Sequence, residues 1–220
     1  MTKGIVICTS EYTKDFLKPL LESIKDTPYR ILIVSNGGYK PKVTIAEFNN
    51  RIDWSIIVND WNGWEIGGIQ RGKETFDEFV FLMDTCIIKD ISLFDKLFEI
   101  EGNVVLTKGN FHYMGKFVTK ELPNLPRVHD KTTAIMLEVK WLDGYKYTEF
   151  QPDLKVHSLN WEEIHGMNRM RLENEYMIKW KGTAYVSKEQ YEELKNAIEA
   201  KDEDKYKELC QTQTGNHPKT

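Results

Sequence analysis

The stretch Asp77-Glu-Phe-Val-Phe-Leu-Met-Asp84-Thr-Cys86 decides how this chain folds. Residues 79–83 are all large and apolar, which is typical of a strand buried on both faces of a parallel sheet. Asp84 therefore follows the carboxyl end of a buried strand. In an open α/β sheet ligands bind at that edge, so a carboxylate there can hold a metal ion or a substrate hydroxyl. An Asp in this position can equally start a turn or cap a helix, so the residue alone does not decide between the two interpretations.

The sequence upstream of this strand contains a βαβ unit. Residues 4–9 predict a strand, Ser10 an N-cap, and a regular apolar face predicts a helix through Lys25. Residues 29–35 predict a second buried strand, which ends in Asn36-Gly37-Gly38, a loop that tolerates positive φ. Strands joined by a helix in this way are parallel, so the expected fold class is α/β with a mainly parallel sheet flanked by helices.

Two further elements are predicted before the Asp84 strand. Residues 54–59 predict a third strand, which leads into a loop rich in Asn, Trp and Gly. A helix is expected from Glu65 to about Thr75, with glycines at positions 67, 68 and 72. Glycines inside a helix suggest the close approach of another backbone or of a ligand.

The second half of the chain has weaker patterns. Residues 103–107 and 132–138 predict short strands, and the Gly- and Pro-containing stretch 109–126 between them reads as irregular chain. Ser187-Lys-Glu-Gln190 is a capping box that opens a charged helix to about Cys210. The tail 211–220 reads as disordered. We expect one continuous domain before this tail.

Composition limits the functional classes. The 220 residues are 40% hydrophobic, which is enough for a core, and the net charge of −4 gives no general attraction to nucleic acid. Cys8, Cys86 and Cys210 are odd in number and lack metal-ligand spacing, which favours a reducing cytoplasm. The first strand starts too early for a signal peptide, and no apolar run reaches the ~20 residues that cross a membrane.

Four loop motifs occur in an order that resembles a known family. They are Cys8-Thr9-Ser10-Glu11, Val34-Ser35-Asn36-Gly37-Gly38, Asn62-Gly63 with the later helix glycines, and Phe81-Leu82-Met83-Asp84-Thr85-Cys86. The series resembles the inverting glycosyltransferases of family 2, which have the GT-A fold, over about the first 110 residues. The resemblance implies a nucleotide-sugar-binding half, 1–110, and an acceptor-binding half with a C-terminal helix, 111–210.

The resemblance also implies roles for individual residues. The donor would be a nucleotide-diphosphate sugar, with a UDP-sugar expected. Its binding residues would be Thr9, Glu11, Asn36, Asn62, Arg71 and Asp84, with Lys73 as an alternative to Arg71 near the diphosphate. A compact transferase of this kind can act on a small acceptor, on a polymer or on a modified base in phage DNA, in which case the compartment is the host cytoplasm.

A divalent cation, Mn²⁺ or Mg²⁺, is the cofactor that the resemblance implies. Cys86 stands where the family has the second Asp of its Asp-x-Asp motif, and both cations prefer oxygen to sulfur. One interpretation is that Asp84 holds the metal together with phosphates, waters and a later histidine, His157. The other is that basic side chains bind the donor without metal.

An inverting transfer also needs a general base, usually Asp or Glu. Asp130, beside the long irregular stretch, and Glu138, at the end of an apolar run, are the candidates. Two other functions stay open at this point. A nucleotidyltransferase shares the nucleotide-binding arrangement, although its usual Gly-rich loop after the first strand is missing here. A non-catalytic nucleotide- or sugar-binding module would bind the donor without turnover.

Overall fold

The structure is a computed structural model and divides into two compact units, residues 1–151 and 152–220. It describes residues 1–11, 13–43, 53–61, 63–106, 114–124, 148–150, 155–157 and 168–183, with the single residues 193, 196, 197, 200, 202 and 205. The halves predicted within one domain, 1–110 and 111–210, stay a prediction.

The first unit is built on a seven-stranded sheet. Its strands are β1 (Lys3–Thr9), β2 (Arg30–Ser35), β3 (Trp54–Val58), β4 (Glu78–Met83), β6 (Val104–Val105), β7 (Gly115–Val118) and β8 (Thr148–Glu149), while β5 (Cys86–Ile88) lies outside it. The order is β3-β2-β1-β4-β7-β6-β8. β7 is antiparallel to both its neighbours and the other pairs are parallel. The predicted α/β class, with a mainly parallel sheet flanked by helices, is confirmed.

Three helices accompany this sheet: α1 (Lys14–Ser23), α2 (Trp64–Thr75) and α3 (Ser92–Glu99). The predicted start of α1 is wrong, since its N-cap is Thr13 and not Ser10. Before the helix, the Thr13 amide instead donates to the Ser10 carbonyl at 3.2 Å. The helix also ends at Ser23, before the predicted Lys25.

Apolar side chains on alternate positions of the strands form the core. On one face, Phe79 and Phe81 of β4 share a cluster with Ile66 and Ile69 of α2. Residues on the other face of the strands, such as Ile5 of β1, are also fully buried. This explains the uninterrupted apolar run of β4, since both of its faces are covered.

The glycines of α2 bring the helix close to side chains of the sheet. A Cβ atom on Gly68 would lie 2.5 Å from the ring of Phe81, and one on Gly72 would lie 2.7 Å from the ring of Phe79. At Gly68 and Gly72 the nearest neighbours are aromatic side chains and not another backbone, and the alternative of a ligand stays a prediction. The missing Cβ atoms let aromatic rings of β4 pack directly under the helix.

The predicted irregular stretch 109–126 contains a strand that sequence analysis missed, β7. A Cβ atom on Gly115 would lie 1.9 Å from the carbonyl oxygen of Val104, so only glycine fits this pairing. The next residue, Lys116, is 1% exposed although it is charged. Gly115 and Lys116 are both uncommon in strands, so the sequence of β7 does not have a typical strand pattern.

The second unit contains three antiparallel strands, β9 (Lys155–His157), β10 (Asn168–Glu173) and β11 (Met177–Thr183). Asn174 shapes the turn between β10 and β11, because its Oδ1 accepts hydrogen bonds from the amides of Tyr176 and Met177, each at 2.8 Å. The predicted strand 132–138 lies outside the described residues. Of the predicted C-terminal helix, the described residues Glu193, Asn196, Ala197 and Lys205 are helical.

In the part of the chain that the structure describes, no helix has the length and apolar character to cross a membrane.

Candidate functional site

Buried polar residues mark the carboxyl ends of the four parallel strands β1 to β4. They are Thr9, Ser35, Asn36, Asn59 and Asp84, each at most 4% exposed. The strand interiors are apolar, so this edge is where the sheet changes from hydrophobic to hydrogen-bonding character. Buried polar groups need partners, and these residues meet theirs largely in one another.

The centre of this edge lies between β1 and β4. The chain builds the sheet from β1 through β2 to β3 in one direction, and then continues from β1 with β4 in the other. A reversal of this kind is the topological switch point at which open α/β sheets bind ligands. Here the hydroxyl of Thr9 donates to Oδ2 of Asp84 at 2.6 Å across the two strand ends.

Asp84 is fully buried and receives a second hydroxyl on the same oxygen, from Thr13. Its backbone amide donates to the carbonyl of Cys8 at 3.0 Å, which ties the end of β4 to the end of β1. Sequence analysis did not select Thr13. The only signal for it was a hydroxyl residue in the loop after the first strand.

Asn36 lies 4% exposed in a network of amide side chains. Its Nδ2 donates to the sulfur of Cys8 at 3.2 Å, and its Oδ1 accepts from Nδ2 of Asn59 at 3.0 Å. A Cβ atom on Gly67 would lie 2.6 Å from that same Oδ1, so α2 also closes over this side chain. The predicted contact of Asn36 with the donor stays a prediction, and in this arrangement Asn36 holds the loops together.

Asn59 carries the network on to Arg71, because its Oδ1 accepts from Nε of Arg71 at 2.9 Å. The Nη1 atom of Arg71 also donates to Glu74 at 2.7 Å, and the arginine side chain is 21% exposed. The guanidinium predicted to meet the diphosphate is thus directed to the end of β3. Asn59 was missed by sequence analysis, although it follows a strand in the same way as Asn36.

Lys73 has a different role from the one considered for it. Its ammonium group donates to the carbonyls of Leu122 and Pro123, at 3.1 and 2.9 Å, and lies 3.3 Å from Oδ1 of Asn124. An ammonium has three protons to donate, and these three acceptors account for them. Lys73 therefore anchors the segment after β7 to helix α2.

Backbone hydrogen bonds join the loops after β2 and β3. Gly37 and Gly38 have φ of +71° and +73°, as expected from the sequence. In this conformation their amides donate to the carbonyls of Trp61 and Asn59, at 3.1 and 2.8 Å. The Asn36-Gly-Gly loop is held by its neighbours on both sides, because the amide of Asn36 donates to the carbonyl of Thr9.

The described residues around Asp84 do not assemble the oxygen-rich shell that Mn²⁺ or Mg²⁺ takes. Cys86 is fully buried, with its sulfur 3.2 Å from that of Met114. Among the described residues, no three His, Cys, Asp or Glu side chains come together in a group that could hold a metal ion. His157 lies in β9 of the second unit, and its side chain is outside the described part.

The remaining predicted site residues are placed less fully. Glu11 is exposed and lies between β1 and α1. Asn62, Asp130 and Glu138 lie outside the described residues. Of the predicted donor-binding residues, the structure thus brings together Thr9 with Asp84 and, through Asn59, Asn36 with Arg71.

No protein-family model and no curated protein matches this sequence significantly. Among solved structures, the glycosyltransferase GlyE of Streptococcus pneumoniae TIGR4 matches with a TM-score of 0.45 at 10% identity, over 68% of this chain. Its apo form gives a TM-score of 0.42. This chain covers only 45% of the GlyE chain, so it spans less than half of that protein's length.

A protein described as a glucose-1-phosphate thymidylyltransferase of Bacillus anthracis, in complex with sucrose, matches with a TM-score of 0.46 at 11% identity. That match covers 69% of this chain and 87% of the other. At these identities and scores, neither likeness identifies the family of this protein or its activity.

Proposed function

We propose that this protein is a glycosyltransferase that binds a nucleotide-diphosphate sugar, with a UDP-sugar as the expected donor, and transfers the sugar to an acceptor hydroxyl. The observation that carries the proposal is the hydrogen bond between Thr9 and Asp84 at the switch point of the sheet. A carboxylate held there is suited to accept hydrogen bonds from ribose or sugar hydroxyls.

The order of polar loops supports the same function. Thr9, Asn36, Asn59 and Asp84 lie at the carboxyl ends of four adjacent parallel strands, and their side chains or backbones are joined by hydrogen bonds. The edge therefore has hydrogen-bond donors and acceptors in fixed positions. A site that binds a ligand with many hydroxyl groups needs such an arrangement. Arg71, partly exposed beside Asn59, adds a positive charge that would meet the diphosphate.

The transfer needs a base for the acceptor hydroxyl, and we propose Asp130 or Glu138 for this role. The carboxylate would take the hydroxyl proton while the acceptor oxygen bonds to the anomeric carbon and the bond to the diphosphate breaks. The diphosphate leaves with the electron pair of that bond. No step of the proposed transfer is routed through a metal ion, because the described residues contain no group of three His, Cys, Asp or Glu side chains that could hold one.

A thermal-shift screen of the full chain tests the binding part. Uridine, guanosine, adenosine, cytidine and thymidine diphosphates and their glucose conjugates are each added with and without Mn²⁺. We expect the Tm to rise with a uridine compound, because a ligand at about 100 times its Kd stabilises the folded state by about 2.7 kcal/mol. If no nucleotide raises the Tm, the proposal is wrong.

A turnover assay then separates the alternatives. With the stabilising nucleotide sugar and a mixture of acceptors, a glycosyltransferase releases the nucleoside diphosphate. A nucleotidyltransferase instead forms pyrophosphate from a nucleoside triphosphate and a sugar phosphate, and a binding module releases neither product. A larger Tm shift in the presence of Mn²⁺ would show that a metal ion takes part in binding, although Cys86 replaces the second Asp of the motif.

A further inference from the structure

Asp84 is 0% exposed, so a ligand can reach its carboxylate only if a neighbouring group gives way. Two hydroxyls, of Thr9 and Thr13, hold the Oδ2 atom of Asp84. These two groups differ in their surroundings. The difference indicates which of them gives way.

Thr9 is fixed by the sheet. It is the last residue of β1, is 1% exposed and pairs in register with Ser35 of β2. Its carbonyl oxygen also accepts the amide of Asn36 at 3.1 Å. The backbone of Thr9 is therefore held in place, and its buried side chain has little room to turn away from Asp84.

Thr13 is less constrained. It is partly exposed and lies in the turn before α1, outside the sheet. As the N-cap residue it would ordinarily accept a hydrogen bond from an amide in the first turn of the helix, but its side chain makes no such bond. Its single hydroxyl proton is donated to Asp84, and the Ser10 hydroxyl lies 3.2 Å from its oxygen.

We propose that the Thr13 hydroxyl occupies the place on Asp84 that a hydroxyl of the donor takes on binding, and that the displaced Thr13 then caps α1. This inference rests on the proposed function and adds a specific task to each threonine. Thr9 positions the carboxylate throughout, whereas Thr13 competes with the ligand for it. The gain of a helix cap offsets part of the loss of the contact with Asp84.

The alternative is that both threonines only position Asp84, and the two interpretations predict opposite signs for one variant. If Thr13 competes with the ligand, Thr13→Val removes the competitor and strengthens binding. If Thr13 only positions Asp84, the same variant weakens binding, as Thr9→Val does. Thr→Ser changes keep the hydroxyl and serve as the conservative variants at both sites.

The test measures the Kd of the full chain, by titration calorimetry, for the nucleotide sugar that raises the wild-type Tm most in the panel above. We expect Thr13→Val to bind about threefold to tenfold more tightly and Thr9→Val about tenfold more weakly. Thr13→Ser and Thr9→Ser should bind like the wild type. Thr119→Val is the matched control, because the Thr119 hydroxyl bonds to the Phe76 carbonyl, at 2.5 Å, near the opposite edge of the sheet.

Hydrogen exchange provides the second measurement. Ligand binding should slow exchange of the Asp15 amide in the wild type, since Thr13 then caps the first turn, and should not do so in Thr13→Val. If Thr13→Val binds more weakly, or if ligand does not change the exchange rate of the Asp15 amide in the wild type, the role proposed for Thr13 is wrong. The proposed function would be unaffected by either result. Failure of the wild type to bind any nucleotide sugar would overturn the proposed function and this inference with it.

Discussion

The hydroxyl of Thr9 lies 2.6 Å from Oδ2 of Asp84, although the two residues are 75 positions apart in the chain. The bond joins the ends of β1 and β4, the two strands at which the growth of the sheet reverses direction. The fold itself creates this site, because Thr9 and Asp84 become neighbours only when β1 and β4 pair in the sheet.

Asp84→Asn should abolish binding of the nucleotide sugar while the protein stays folded. The amide oxygen can take the place of Oδ2 and accept from both threonines, but the negative charge is lost and the NH₂ group in the place of Oδ1 cannot accept a hydrogen bond. We expect a loss of about 1–3 kcal/mol in stability, measured by urea unfolding, and no nucleotide-induced rise in Tm.

The matched control for that variant is Asp53→Asn. The Asp53 side chain is 79% exposed and forms a 3.8 Å pair with Arg30, and an exposed pair of this kind contributes little to stability. Normal nucleotide binding by Asp84→Asn would show that the site lies elsewhere.

Gly67→Ala should destabilise the protein even though alanine favours helices. In an open helix this change stabilises by about 0.5–1 kcal/mol. Here the new Cβ would lie 2.6 Å from Oδ1 of Asn36 and 3.2 Å from Nδ2 of Asn59. We expect a net loss of about 1–3 kcal/mol in urea unfolding, and a stabilised variant would show that the amide network can shift without cost.

Lys116 should make the protein more stable as the pH rises toward 10.5. Burial lowers the pKa of Lys116 below its ordinary value of 10.5, and the charges of Glu78, Glu121 and Glu101 only partly oppose this. Between the lowered pKa and 10.5, the unfolded chain holds a proton that the folded protein has released, so the free energy of unfolding increases with pH.

The comparison of wild type with Lys116→Met measures this effect. Urea unfolding between neutral pH and about pH 10 should show a smaller upward slope in the variant, with exposed Lys14→Met as the control. At neutral pH the variant also loses the 2.6 Å bond from Lys116 to the carbonyl of Ile100, just after α3. Equal slopes in wild type and Lys116→Met would contradict the prediction.

Asp77→Asn should reduce the acid sensitivity of the fold. The backbone amide and hydroxyl of Thr2 donate to Asp77, at 2.6 and 3.1 Å, and lower the pKa of Asp77 from its ordinary 3.8. A lowered pKa stabilises the folded state above 3.8, and this contribution is lost as the pH falls through the lowered value. Unfolding midpoints from neutral pH downward should therefore fall less steeply in Asp77→Asn, and an identical pH profile would speak against the contact.

The positions of β1 to β4 could be predicted because each is a run of apolar residues ended by a polar one. That pattern predicts that Thr9, Asn36 and Asp84 lie at one edge of the sheet. It could not place Thr13, because the direction of its side chain depends on where α1 begins, and Ser10 was the predicted N-cap.

Two other features escaped prediction for physical reasons. β7 is short and contains Lys116, and its burial depends on a carbonyl acceptor, at Ile100, that no local pattern reveals. The loss of an oxygen ligand at Cys86 was visible in the sequence, but its contact with Met114 was not. A local sequence pattern indicates the secondary structure that a residue prefers. The contacts of Lys116 and Cys86 are with residues distant in sequence, so they depend on the tertiary fold.

Helix α2 contacts two separate parts of the first unit. At Gly67 it packs against the side-chain amide of Asn36. Six residues further along, about 9 Å at 1.5 Å per residue, Lys73 donates hydrogen bonds to the carbonyls of residues 122 and 123. One helix therefore contacts both places, and its regular backbone sets the spacing between the Asn36 loop and the segment that follows β7.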